Sequence, residues 1–318
     1  MAALDAKTGD VVALGSAVAQ MVGRNPGSLQ VVHPMRDGVI SDFTVIHAMI
    51  AHYIKKLCGI RLFKPTVMIC LPSGVTGLER SAILELAIAA GASRACLVDE
   101  PLAAAMGAGL EIDTLAGQIV VDIGGGTTDV GVFTMGSIAI SRSGKVAGNA
   151  LEAAIERYLR RERNLVVGQL TAEDIKKRVG CARIRPAELA IYARGQNYIS
   201  RMPARFEVSS TEAYLAMREP LRGILEVITG VLEQTPPEMA GDIYDQGITL
   251  TGGGALLRDL DKMLSAETGL RVQVTPNPVQ CVALGMGVLM DRRDILAENN
   301  YVFRTDDDIG EFERNRNL

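Results

Sequence analysis

The segment that most constrains this chain is Val120-Val121-Asp122-Ile123-Gly124-Gly125-Gly126-Thr127-Thr128-Asp129-Val130. Apolar, β-branched runs flank three consecutive glycines, so two strands must meet at a turn with almost no side-chain bulk. Glycines tolerate positive φ and let neighbouring backbone N–H groups converge on one concavity, a nest for phosphate oxygens. Thr127 adds a hydroxyl, and Asp122, at a strand end, is suited to holding Mg2+ through water. The same residues also suit a plain hairpin with a glycine turn.

A second glycine turn lies in Ile248-Thr249-Leu250-Thr251-Gly252-Gly253-Gly254-Ala255-Leu256-Leu257, read as strand, turn and helix. Bare glycines at a helix start present free N–H donors to a ligand, or simply make a tight connection. Neither turn continues into Gly-Lys-Ser/Thr or has the spacing of a dinucleotide fingerprint. In a third segment, Asp99-Glu100-Pro101-Leu102-Ala103-Ala104-Ala105-Met106-Gly107, a carboxylate stands between a buried strand and a helix of very small residues. Glu100 is placed to position a water for attack on a γ-phosphate. It equally suits the positive end of a helix dipole.

Around these segments strands and helices alternate, the pattern of an α/β chain. Val67 to Leu71 and Ala95 to Val98 read as buried strands, and Thr76 with Glu79 as a capping box opening a helix that Gly91 ends. Strands are expected at Gln118 to Asp122, Asp129 to Met135 and Ile138 to Ser143, and helices at Asn149 to Arg163 and, capped by Thr171, to Val179. From Gly180 to Ser209 the pattern is weak, and strands and loops are expected. Ser209 and Glu212 form another capping box, for a helix to about Gln234. A helix over Ala255 to Glu267, a strand over Arg271 to Val274 and a small-residue helix over Val279 to Arg292 follow, with a frayed tail from Asn299.

The 318 residues suit two average lobes rather than one small core. A formal net charge of −4 gives no global basic field for nucleic acid. The five scattered cysteines form no C-x-x-C pair and read as reduced core residues. The three histidines lack metal-ligand spacing. The first residues meet charge too early for a signal peptide, and no apolar run reaches the ~20 residues of a membrane span, so a cytoplasmic or surface-attached protein is expected.

Taken together, the three segments resemble the actin, Hsp70 and sugar-kinase superfamily. With Pro34-Met35-Arg36-Asp37-Gly38-Val39-Ile40-Ser41-Asp42-Phe43, Gly23-Arg24-Asn25-Pro26-Gly27, Thr235-Pro236-Pro237-Glu238 and Val282-Ala283-Leu284-Gly285, the chain is similar to the MreB family of bacterial actin-like proteins to about residue 295. The resemblance implies an actin-like ATPase fold, with two lobes of mixed sheet and helix around a nucleotide cleft. The first lobe would take residues 1–117 (small subdomain 1–47), completed by 283–318, and the second 118–282 (small subdomain 153–219). It implies ATP and Mg2+ as cofactors. Gly125, Gly126 and Thr127 would meet the β- and γ-phosphates, with Glu100 and Thr127 at the reacting group and Asp122 on Mg2+. Glu173, Asp174, Ile175 and Lys176 would meet the ribose and adenine, and Gly253, Gly254, Ala255 and Leu256 would line the adenine side.

The resemblance also implies head-to-tail filaments at the inner face of the cell membrane that guide the wall-elongation machinery and cell shape. In Gly59-Ile60-Arg61-Leu62-Phe63-Lys64-Pro65, two large apolar residues flanked by cations match the family's hydrophobic loop, so Leu62 and Phe63 are expected to dip into the bilayer. Folding back onto the lobe is the other reading. Two departures stand out. The family's opening strand pair, with its Asp-x-Gly-Thr phosphate loop, has no match here, which implies an exposed sheet edge in the first lobe. It also supports an alternative role, a non-hydrolysing subunit that co-assembles with a full-length relative. Arg183 to Arg205 does not read as family sequence. A small-molecule kinase is disfavoured, since no substrate insert or further catalytic aspartate stands out.

Overall fold

The structure is a computed structural model describing residues 1–19, 21–36, 39–59 and 63–308, apart from the side chains of Ser16, Arg36 and Val39. Two compact units emerge, one of residues 1–99 with 290–318 and one of residues 100–289.

The first unit opens with β1 (Ala2–Asp5), β2 (Val11–Leu14), the short helix α1 (Ser16–Ala19) and β3 (Leu29–Val32). β1 is the middle strand, antiparallel to both neighbours, and Ala2 and Ala3 are fully buried. β4 (Met35–Arg36) and β5 (Val39–Ile40) pair, and Asp42 caps α2 (Phe43–Cys58) by accepting from Val45 N at 3.0 Å. β6 (Thr66–Leu71) runs parallel to β7 (Arg94–Asp99), with α3 (Gly77–Ala89) as the crossover. Thr76 and Glu79 close the expected capping box reciprocally. Leu71, Ile83 and Leu97 form one buried cluster of this unit.

The second unit begins with α4 (Glu100–Ala108). β8 (Gln118–Ile123), β9 (Thr128–Thr134) and β10 (Ser137–Gly144) form a meander, followed by α5 (Gly148–Arg163), β11 (Leu165–Val166) and α6 (Gln169–Val179). β12 (Ala190–Asn197) and β13 (Pro203–Ser209) make a hairpin, α7 (Ser210–Leu232) and α8 (Pro237–Gln246) follow, and β14 (Ile248–Thr251), α9 (Leu260–Thr268), β15 (Val272–Val274) and α10 (Cys281–Asp291) end the unit. The main sheet runs β10-β9-β8-β14-β15, with β14 parallel to both β8 and β15. All six residues of β8 are buried, so the strand is covered on both faces. Ile119, Val121 and Ile123 join a core with Leu151 and Ile155 of α5 and Ile224 and Ile228 of α7. Gly131 lets Pro101 of α4 approach β9 closely; a Cβ there would lie 2.7 Å from Pro101 Cβ.

α4 and α10 touch backbone to backbone. A Cβ on Gly107 would overlap the Cys281 carbonyl, one on Gly285 would overlap that of Ala103, and Cys281 Sγ donates to Ala104 O at 3.3 Å. Both α4 and the first nine residues of α10 belong to the second compact unit, which spans residues 100–289.

Three local expectations are corrected. The helix expected over Ala255 to Glu267 is a 3-10 turn, Gly253–Leu256, followed by α9, which starts only at Leu260. Between them Arg258 bridges Cys181 as a strand would, and Asp259 turns to a φ of 60°. α6 is not capped by Thr171: the amides of Thr171 and Ala172 donate to Gly168 O at 2.9 and 3.0 Å, so the helix begins earlier, without a side-chain cap. Nor is the tail frayed from Asn299. After α11 (Arg293–Glu298), Tyr301 Oη donates to Asp99 Oδ2 at 2.7 Å, and Arg304 exchanges backbone hydrogen bonds of 2.8 and 2.9 Å with Ala95 of β7.

Candidate nucleotide site

The first glycine turn is a hairpin. The β8–β9 register sets Ile123 opposite Thr128 and Asp122 opposite Asp129, and Gly124 N closes the turn onto Thr127 O at 2.9 Å. Two aspartates thus face each other across the ladder at the base of the turn, both almost wholly buried. Like charges directly opposite are unfavourable in a sheet, and burial compounds the cost. Burial, and then the charge of Asp129, pushes the Asp122 carboxyl up to about 7. Its Oδ2 has no hydrogen-bond partner. Glu100 joins the group from the start of α4: burial, then Asp122, then Asp129, raise its carboxyl to about 8.

The turn itself is held from behind. Gly148 and Asn149, opening α5, donate their amides to the Gly124 and Gly125 carbonyls at 3.2 and 2.7 Å. Thr128 Oγ1 donates to Val146 O at 2.6 Å, fixing the β9 side. Gly125 is exposed, whereas Thr127 is buried. Gly148 has little free space around it: a Cβ would stand 3.2 Å from both Gly124 O and Lys176 Nζ.

Lys176 is the residue of α6 that reaches this turn. Its ammonium pairs with the buried Glu152 carboxylate at 2.5 Å and donates to Gly148 O at 3.4 Å. Glu173 and Asp174 lie further out, paired along the helix with Lys177 at 2.5 Å and Arg178 at 3.4 Å. Ile175 is a core residue, fully buried.

The second glycine turn closes on the first. Thr251 pairs with Asp122 across β14 and β8. Gly252, at a φ of 82°, has no room for a side chain, because a Cβ would overlap both Asp122 Oδ1 and Ile123 O. Gly254 would likewise strike Ile123. Gly252 N and Thr251 Oγ1 both donate to Pro278 O, at 3.0 and 3.1 Å. Of the four residues expected to line the adenine side, Gly253 and Leu256 are exposed, Gly254 is partly exposed and Ala255 is buried. Arg258 Nη1 donates to Lys177 O at 3.0 Å, and Ala182 N to Arg258 O at 2.8 Å, which ties this turn to the end of α6.

The second unit thus brings together Glu100, Asp122, Gly125 to Thr127, Lys176 and Gly252 to Leu256. Sequence reasoning missed Asp129, Gly148, Asn149 and Glu152. Only Asp129 had a legible signal, as the acidic residue mirroring Asp122 across the glycine turn. Of the expected membrane loop, Leu62 lies outside the described residues, and Phe63, in the first unit, is 84% exposed.

Residues 1–298 match the family model described as MreB/Mbl protein. The cell shape-determining protein Mbl of Bacillus subtilis strain 168 is 44% identical over 295 residues, 92% of this chain and 89% of that protein. The cell shape-determining protein MreB of Escherichia coli strain K12 is 43% identical over 287 residues, 90% of this chain and 83% of that protein. Among solved structures, MreB5 of Spiroplasma citri, with ADP and with AMPPNP, is similar with a TM-score of 0.88 at 36% identity, covering 94% of this chain and 90% of that one. The fold is actin-like, and with the match running through both units the chain belongs to the MreB/Mbl family.

Proposed function

We propose that this chain is a cytoskeletal protein that binds ATP with Mg2+ and polymerises head to tail into membrane-associated filaments that direct cell shape and wall synthesis. The observation that carries the reading is the pair of glycine turns meeting at Asp122, whose buried Oδ2 has no partner. Relatives named for cell-shape determination, and a relative solved with ADP and with AMPPNP, support it.

The hairpin amides from Gly125 to Thr127 receive the β- and γ-phosphates, and the second turn, at Gly253, Gly254 and Leu256, receives the adenine side. Among the described residues no three metal-ligating side chains converge to hold an ion directly. Asp122, at the base of the phosphate turn, would hold Mg2+ through water. Mg2+ bound there supplies positive charge against the phosphate oxygens. Asp122 and Asp129 place two acidic groups at the base of the turn, and a cation relieves their mutual repulsion. Glu100, at the start of α4 beside the phosphate turn, orients the attacking water. Lys176, anchored by Glu152, stabilises the back of the phosphate turn, and Glu173 and Asp174 face the ribose side.

At the membrane, Phe63 with Leu62 contributes a small apolar contact that filament formation multiplies. The test is binding of a fluorescent ATP analogue and phosphate release by the purified chain with Mg2+. Saturable binding, lost on EDTA addition, is expected. Failure to bind alone and with a full-length relative overturns the reading.

A further inference from the structure

Between α5 and α7 lies a groove of about 700 Å3 whose charge is one-sided. Arg157, Arg160 and Arg161 line it from α5, at the spacing that puts side chains on one helix face, and Arg218 lines it from α7. Glu219 is the carboxylate of that lining. Two of the arginines are accounted for within the fold. Arg160 donates to Tyr198 Oη at 3.1 Å and lies over its ring, and Arg161 pairs with Glu162 at 2.7 Å. Both also belong to the last turn of α5, where the helix dipole favours cations.

Arg157 and Arg218 have no such account. Both are exposed, neither lies in the last turn of its helix, and among the described residues neither belongs to an ion pair. They also line an adjoining hollow of about 950 Å3, so the two depressions share them. Small residues, Ala154 and Ala216, line the groove as well, and Leu215 offers it an apolar side chain that is 45% exposed. Unpaired cations beside an exposed apolar side chain suit an acidic chain segment that carries apolar residues.

The chain itself holds such a segment. Asp306-Asp307-Asp308-Ile309-Gly310-Glu311-Phe312-Glu313 places five carboxylates and two large apolar residues within eight positions. Asp306 and Asp307 are exposed and, among the described residues, unpaired. Asp308 is taken up locally, accepting from Thr305 N at 2.8 Å and Thr305 Oγ1 at 2.7 Å. We propose that the α5–α7 groove of one copy receives the acidic segment 306–313 of a second copy, with carboxylates on Arg157 and Arg218 and an apolar side chain of the segment against Leu215. Charge complementarity carries the assignment. Any assembly of copies raises the local concentration of the segment, so a weak contact suffices. Two different surfaces meet in it, which makes it heterologous. A polyphosphate matches the cations but leaves Leu215 uncovered. The contact uses neither glycine turn and is independent of the nucleotide reading.

The test is fluorescence anisotropy of a labelled peptide of residues 305–318 titrated with the full chain, alongside a thermal melt as a check on folding. Saturable binding that weakens with added salt is expected. Arg157→Glu with Arg218→Glu should weaken it about tenfold or more, and a peptide carrying Asp306→Lys and Asp307→Lys should bind that variant better than it binds the parent. Ile309→Ser with Phe312→Ser in the peptide should weaken binding as well. In sedimentation velocity, the arginine variant and a chain truncated after Thr305 should each self-associate less than the parent, and mixing the two should restore association. No binding by the folded parent, or binding unchanged in the arginine variant, overturns the proposal. So does a poly-aspartate peptide of equal charge that binds as tightly, which would make the groove a general anion site. A mixture that stays as dissociated as its two components also overturns it, because segment and groove then make no contact between copies.

Discussion

Gly252 lies so close to Asp122 that any side chain at position 252 would collide with the carboxylate, and the backbone there is already at a positive φ of 82°. Gly252→Ala should therefore lower stability by about 1–3 kcal/mol, through overpacking and backbone strain together. It should also weaken ATP-analogue binding, because relief comes only by parting the two glycine turns. Gly253→Ala meets nothing within 4 Å and is the control, with stability near the parent. Urea denaturation and a binding titration on both variants check this.

Glu100 sits at the start of α4 beside two buried aspartates. Glu100→Ala should leave ATP-analogue binding nearly intact while slowing phosphate release by about a hundredfold or more. Equal release by variant and parent would remove the residue from the chemistry.

The same cluster sets a pH dependence. Glu100 and Asp122 are raised in the folded chain to about 8 and about 7, above their unfolded values, so the folded state binds more protons than the unfolded one between those limits. Their stabilising contribution is full below the unfolded values and is lost as pH rises through the folded ones. The melting temperature of the nucleotide-free chain should fall as pH is raised from about 5 to about 9. Asp122→Asn should flatten that fall, because it removes one titrating carboxyl and its repulsion of Glu100.

Lys176 and Glu152 form the best-buried ion pair in the second unit's site, with side chains 17% and 8% exposed. Lys176→Met leaves the Glu152 carboxylate uncompensated and should cost about 3 kcal/mol, whereas the double change with Glu152→Leu should recover much of that loss. A double-mutant cycle in urea measures both. The exposed pair Lys177–Glu173 on the same helix should contribute under about 1 kcal/mol in the same assay.

The α4–α10 crossing supplies a last test. Gly285→Ala would drive a methyl into the Ala103 carbonyl and should destabilise the chain by about 2–3 kcal/mol, while Gly287→Ala, with nothing within 4 Å, should be neutral or better. Thermal melts of the pair separate close packing from helix propensity.

What sequence alone revealed of this molecule tracks how local each cause is. The capping boxes at Thr76–Glu79 and Ser209–Glu212 were legible because each closes within four residues. The glycine turns were legible because few residues other than glycine permit such approach. The β12–β13 hairpin was only weakly visible, since its inward positions include the small Ala193 and Gly195 rather than large apolar residues. The late start of α9 depends on Arg258 meeting Cys181, and the docked tail on Tyr301 meeting Asp99, contacts that no window of neighbouring residues contains. Likewise, nothing in the local pattern of α6 distinguishes Lys176, which turns toward Glu152 on another helix, from Lys177, which stays on the surface.

The glycine crossing has a mechanical consequence. Ala103 meets Gly285 and Gly107 meets Cys281, so α4 and α10 run in opposite directions in one register. Carried forward, that register sets the first residue of α4 beside the last buried turn of α10, where the chain enters and leaves the second unit. Entrance and exit therefore share one stiff bracket. Neither helix can slide along the other without opening the Gly107–Cys281 and Gly285–Ala103 contacts together.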